Sequence, residues 1–236
     1  MIKKIGSILL LGIFCTATAL HAQRHWNQIL SDKDLSRDTI TKKGITLIFI
    51  NKEEGFSKAE AERMQETFFE IYPKEIKTYN KKAAKKVAMI IDPDYKGVAA
   101  TAGTVIRINP EWMEKHPEDL DVVTHEAMHI VQAYHGHSGP GWITEGIADY
   151  VRNEFGVNNK AAGWSLTPFN EKQSYTNAYR ITARFLVWIT KNYKKSFVQS
   201  LNFAMREGKY TDGFWKDQTG KTVDELWALY SQNPAI

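Results

Sequence analysis

H-E-A-M-H (125–129) and W-I-T-E-G-I-A-D-Y (142–150) decide how this chain is read, with fifteen residues between His129 and Glu145. On a helix, residues four apart stand one above the other, so His125 and His129 can direct their rings at one metal ion. Glu126 lies about 60° round the helix from His129, close enough to reach water at the metal but poorly placed to be a ligand. Val123, Ala127, Ile130, Val131 and Tyr134 fall on the other side, so one face is expected to pack into a core while the other carries the site.

A zinc ion that does chemistry takes three protein ligands and keeps one position open. Two residues compete for the third place. His135 completes H-E-A-M-H-I-V-Q-A-Y-H, a known metal-site spacing in which Gln132 replaces the usual glycine. That glycine lets the chain turn sharply. A helix continuing through Gln132 would carry His135 about 9 Å along the axis from His129 and about 120° round it. Glu145 is favoured instead. It opens a second amphipathic helix in which Ile143, Ile147, Tyr150 and Val151 form the buried side, and Glu145 and Asp149 share the other. Asp149, four residues on, is placed to accept the free ring N–H of a ligating histidine.

H-E-A-M-H-I-V-Q, G-W-I-T-E-G-I-A-D-Y-V-R, Y-R-I-T-A-R-F-L and T-V-D-E-L-W-A-L-Y, together with D-Y-K-G-V-A-A-T-A-G (94–103), resemble the plant and bacterial basic secretory protein family. The resemblance runs from about residue 45 to residue 230. It implies a zincin-like metallopeptidase fold and hydrolysis of peptide bonds, and leaves the substrate open.

Residues 1–22 have the form of an export signal: Lys3 and Lys4, an apolar run over 5–20, then L-H-A before Gln23. The run is too short and too interrupted by Thr16 and Thr18 to span a membrane, which takes about 20 apolar residues. The single cysteine, Cys15, lies within it, so the exported chain carries no disulfide. Losing Lys3 and Lys4 lowers the formal charge from +4 to +2, too small an excess to point to nucleic acid or an anionic membrane as a partner. The K-K-A-A-K-K run (81–86) reads as a solvated surface. Residues 23–236 are expected to form one domain, taken as a monomer, with two lobes around a cleft.

Residues 23–43 read as a polar lead-in. Strands are expected at 45–50, 86–92 and 104–109, with a helix from a Ser57/Glu60 capping box that kinks or restarts at Pro73. The metal helix is expected from about 118 to a terminating glycine at Gly136, and later helices at 174–191, 194–207 and, from a Thr222/Glu225 box, 223–231. Strands first and helices later give an α+β chain: an N-terminal mixed sheet with helices, the metal helix at the junction, and a C-terminal helical lobe. Residues 104–109 just precede the metal helix, where zincins carry an antiparallel edge strand along the cleft, so the resemblance implies an edge strand with which an extended peptide can pair. Of the tyrosines near the motifs, Tyr150 falls on a core face, leaving Tyr175 and above all Tyr179 as the candidate oxyanion donor.

These residues point to an exported zinc peptidase. Zn2+ would sit on His125, His129 and Glu145, with Glu126 as general base and Tyr179 as a second catalytic group. Two other classes share the scaffold: a binding protein without turnover, which need not keep Glu126, and a metal-dependent hydrolase of a non-peptide substrate.

Overall fold

The computed structural model describes residue 30 and residues 34–136 and 138–236. The expected export signal, residues 1–22, lies outside the described residues. The elements below belong to the unit Leu35–Ile236.

Strand β2 (Ile45–Asn51) is apolar and buried along most of its length, as a central strand requires. The preceding lead-in is a strand as well, a correction to the sequence reading: β1 (Ser36–Lys42) pairs antiparallel with β2 along its whole length, from Ser36↔Asn51 to Lys42↔Ile45. Its side chains are almost all exposed, so no apolar run marks it. Backbone pairing holds it, closed by a two-residue turn at Lys43 (φ 50°) and Gly44 (φ 77°) whose left-handed backbone matches the strand twist.

A helical crossover, α1 (Lys58–Tyr79), returns the chain to β3 (Lys86–Ile91), parallel to β2. The Ser57 hydroxyl accepts from the Glu60 N–H at α1's start, and the helix runs through Pro73 without a break. The lost N–H bond is outweighed by the buried stripe Met64, Phe68, Ile71, Tyr72 and Ile76. Glu75 on the same helix is fully buried with no hydrogen-bond partner among the described residues, and burial pushes its carboxyl well above the ordinary range.

The expected edge strand is interior. β5 (Val105–Ile108) pairs parallel with β3 on one side and antiparallel with β4 (Ala99–Ala102) on the other, giving the order β1-β2-β3-β5-β4. The expectation took the strand just before the metal helix for the edge, but β4 lies outside it. Arg107 shows how interior β5 is. It is buried and bonded to Asp92 at 2.7 Å, an ion pair that only the fold brings together. The true edge, A-A-T-A, is made of small residues with little strand propensity and was not assigned.

After α2 (Pro110–Lys115) comes the motif helix α3 (Val122–Gln132), shorter at both ends than expected. It stops at Ala133, which takes the left-handed conformation (φ 46°, ψ 41°), rather than at Gly136. α3 touches α1, the helix α4 (Gly141–Phe155) and β4, and every residue but the half-buried His129 is buried. The two-faced helix of the sequence reading is thus enclosed on nearly all sides.

The C-terminal part holds α5 (Tyr179–Asn192), α6 (Phe197–Arg206), α7 (Gly213–Thr219) and α8 (Val223–Gln232), the last with the expected Thr222/Glu225 capping box. α7 escaped the sequence reading because it is short. Its Trp215 is fully buried and stacks on Phe185 and Trp142. α4 and α5 pack closely at Gly146, where a Cβ would come within 2.2 Å of the buried Thr182 Cγ2. Because Gly146 follows Glu145, the same close approach sets the start of α5 beside the motif. Gly146→Ala is expected to lower stability by about 1–3 kcal/mol in urea unfolding. Thr182→Ala in the same chain should recover part of the loss, and no recovery would mean that the helices do not meet there.

Candidate metal centre

α3 and α4 bring His125, His129 and Glu145 together. Their candidate ligand atoms all lie within 4.8 Å of one another, and they are the group of this kind found among the described residues. His125 Nε2 is 3.1 Å from His129 Nε2 and 3.2 Å from Glu145 Oε2, and His129 Nε2 is 3.5 Å from the same oxygen. A tetrahedral zinc with bonds of about 2.0–2.1 Å has edges of about 3.3 Å between its ligand atoms. The three separations fit one face of such a tetrahedron. His135 is exposed and outside the group.

Asp149, one turn along α4 from Glu145, is buried with Oδ1 2.7 Å from His125 Nδ1. A carboxylate can only accept, so the ring donates from Nδ1 and turns Nε2 towards His129 and Glu145. His129 Nδ1 lies 2.7 Å from Gln132 Oε1, and Gln132 Nε2 donates to the Thr144 carbonyl at 2.8 Å. Burial disfavours charge on His125, but hydrogen bonds to Asp149 and Glu145 and the nearby Glu126 outweigh it and push the ring up to about 10. Burial also works against the Glu145 carboxylate, yet bonds from His125 and His129 hold its pKa well below the ordinary range. Three carboxylates around two imidazoles thus call for positive charge at this point, which a divalent cation would supply.

Glu126 is buried beside the cluster and is not one of the three. The Thr101 hydroxyl on β4 reaches its Oε2 at 2.7 Å and its main-chain carbonyl at 3.1 Å, so the edge strand is pinned to the motif helix at this carboxylate. Tyr179 is 54% exposed, and its ring lies 6.1 Å from the His125 ring at an interplanar angle of 19°. It opens α5 with a left-handed backbone (φ 49°, after Ala178 at 63°), a costly conformation for a bulky residue. Thr182 holds that turn, its hydroxyl donating to the Tyr175 carbonyl at 2.6 Å. The charge of Glu145, then burial and Asp149, raise the Tyr179 pKa, so the phenol keeps its proton. Tyr175 points elsewhere and donates to Asp224 at 2.7 Å, and Tyr150 is buried in the core.

His125, Glu126, His129, Glu145 and Tyr179 line an open cleft of about 1320 Å³, shared with residues of β4 and with Trp112, Arg152 and Trp164. Arg152 is committed there: it donates to Asp119 and Asn159 and stacks over Trp164 at 4.5 Å. Sequence reasoning missed Thr101, Gln132 and Tyr95, which also lines the cleft. Thr101 precedes Glu126 by 25 residues, and no local pattern joins them.

Residues 45–230 match the family described as peptidase of plants and bacteria. The chain belongs to this peptidase family. Its fold is that of the zincin metallopeptidases. A two-domain M1 zinc metallopeptidase variant bound to L-tryptophan superposes with a TM-score of 0.54 at 14% identity, over 85% of this chain and 52% of that one. The M1 zinc metallopeptidase from Deinococcus radiodurans gives 0.51 at 11% identity, over 85% and 52%. An aminopeptidase N family protein from Idiomarina loihiensis gives 0.50 at 9%, over 83% and 46%. This chain spans about half the length of those structures. No curated protein matches the sequence. Among the described residues, no helix is long and apolar enough to cross a membrane.

If Asp149 orients His125, Asp149→Ala should weaken zinc binding by about 10–100-fold in competition with a chelator. A wild-type affinity in that variant would leave Asp149 as a helix carboxylate with no part in the centre.

Proposed function

We propose that the chain is an exported zinc peptidase that hydrolyses peptide bonds, with residues 23–236 as its one peptidase domain. The observation that carries this reading is the trio His125 Nε2, His129 Nε2 and Glu145 Oε2, separated by 3.1, 3.2 and 3.5 Å, with Glu126 beside it. Export rests on the signal-like residues 1–22.

His125, His129 and Glu145 would hold the zinc, and zinc so bound acts as a Lewis acid that brings the pKa of water towards ~7. Glu126, oriented by Thr101, takes the proton of the attacking water and passes it to the leaving amine. Tyr179, a neutral phenol on the cleft wall, donates to the oxyanion that forms at the scissile carbonyl. The substrate lies along β4, the edge strand lining the cleft, where an extended peptide adds as a further strand. The small side chains of Ala99, Ala100 and Ala102 let a peptide backbone approach that edge. The presence of Glu126, held in place by Thr101, favours turnover over a silent binding scaffold.

Glu126→Gln should keep zinc and fold while losing turnover of a denatured protein substrate by about 10²–10⁴-fold. Cleavage at the wild-type rate would reject the mechanism, and loss of zinc would mean that Glu126 is a ligand. Tyr179→Phe should retain zinc and lower kcat by about 10²-fold or more, with a smaller effect on KM. A change confined to KM would move Tyr179 from oxyanion donor to substrate contact.

A further inference from the structure

Gln132 is the last residue of α3 and is 1% exposed. It stands three residues after His129, and side chains on a helix lean towards its N-terminus, so its amide folds back over the ring of His129. The hydrogen bonds then determine one another. The Thr144 carbonyl can only accept, so the amide nitrogen of Gln132 must face it, at 2.8 Å. The amide oxygen is left facing His129 Nδ1 at 2.7 Å, and it too can only accept. His129 Nδ1 must therefore carry the ring proton. A histidine that ligates a metal is neutral and has one N–H, so with Nδ1 protonated the atom left to ligate is Nε2, which lies towards His125 Nε2 and Glu145 Oε2.

We infer that Gln132 is a positioning residue for the metal centre: it fixes the tautomer and ring angle of His129 and thereby sets zinc affinity. The inference rests on the metal-binding reading above. Gln132 is the neutral counterpart of Asp149, which does the same for His125 with a carboxylate. Its other bond reaches Thr144, the residue before Glu145, so one side chain ties the end of α3 to the first turn of α4 and couples the two ligand-bearing helices. A centre with two anionic orienting groups would hold more negative charge than the one seen. An amide supplies the acceptor without adding to it.

The test uses zinc itself and two substitutions of similar size. Gln132→Met removes both bonds. Gln132→Glu keeps an acceptor for His129 and loses the donor to Thr144. Zinc affinity, read by competition with a chromophoric chelator, should fall by about 10–100-fold in Gln132→Met and stay close to wild type in Gln132→Glu. The thermal midpoint of the metal-free protein should fall in both, since both lose the tie to Thr144. Wild-type affinity in Gln132→Met, or an equal loss in the two variants, would overturn the inference and leave Gln132 as a helix tie alone. If the wild-type protein binds no zinc, the metal reading fails, and the tautomer decides Gln132 separately. Imidazole ¹⁵N shifts of the metal-free protein at alkaline pH should then show the His129 proton on Nδ1, and in Gln132→Met a shift towards Nε2. A wild-type proton on Nε2 would dispose of the role.

Discussion

The molecule depends on a polar helix placed where a core helix would normally lie. α3 carries Thr124, His125, Glu126 and Gln132 among its apolar residues, and all four are buried. Burying such groups costs several kcal/mol each unless they are paired. His125 and Gln132 find partners on α4, Glu126 on β4, and Thr124 at the cap of α3 itself. Asp149 of α4 meets His125, Thr101 of β4 meets Glu126, and the Thr144 carbonyl meets Gln132. Thr124 donates to Asp121, which also accepts from the main-chain N–H groups of residues 157 and 158. The sheet edge, the second motif helix and the loop after it are thus held at the site by the same bonds that make burial of α3 tolerable.

This arrangement explains why the centre is stiff on one side and open on the other. Behind α3 lie α1 and the sheet, packed with Phe68, Ile71, Tyr72 and Met89 without exposed surface. In front, Tyr179 and the edge strand border the cleft. The strained turn at Ala178 and Tyr179 belongs to that open side, and it is paid for by the aromatic packing of α5, in which Phe185 meets Trp188, Trp215, Trp227 and Tyr230. Gly146 links the two regions, because only a residue without Cβ lets α5 come this close to the helix that carries Glu145.

The likeness to these structures is one of fold, at 9–14% identity and across about half their length. It says nothing of substrate. The chemistry argued above comes from this chain's own side chains.

What the sequence alone determined were the features written at short range. The four-residue interval of His125 and His129 and that of Glu145 and Asp149 are properties of single helices, and the apolar stripes of α1, α4 and α5 follow from period alone. The α+β order, the capping box of α8 and the peptidase family were legible for the same reason. The tertiary structure decided whatever joins distant residues. Strand β1 has no apolar signal and exists through its pairing with β2. The strand just before the metal helix, 104–109, was expected at the edge, but the sheet adds β4 outside it and buries Arg107 against Asp92. The bond from Gln132, at the end of α3, to Thr144 joins two helices that no local pattern relates. The contact of Thr101 with Glu126 depends on where β4 lies against α3. A periodic pattern shows which way a side chain points from its own element, and the partner it meets there is set by how the elements pack.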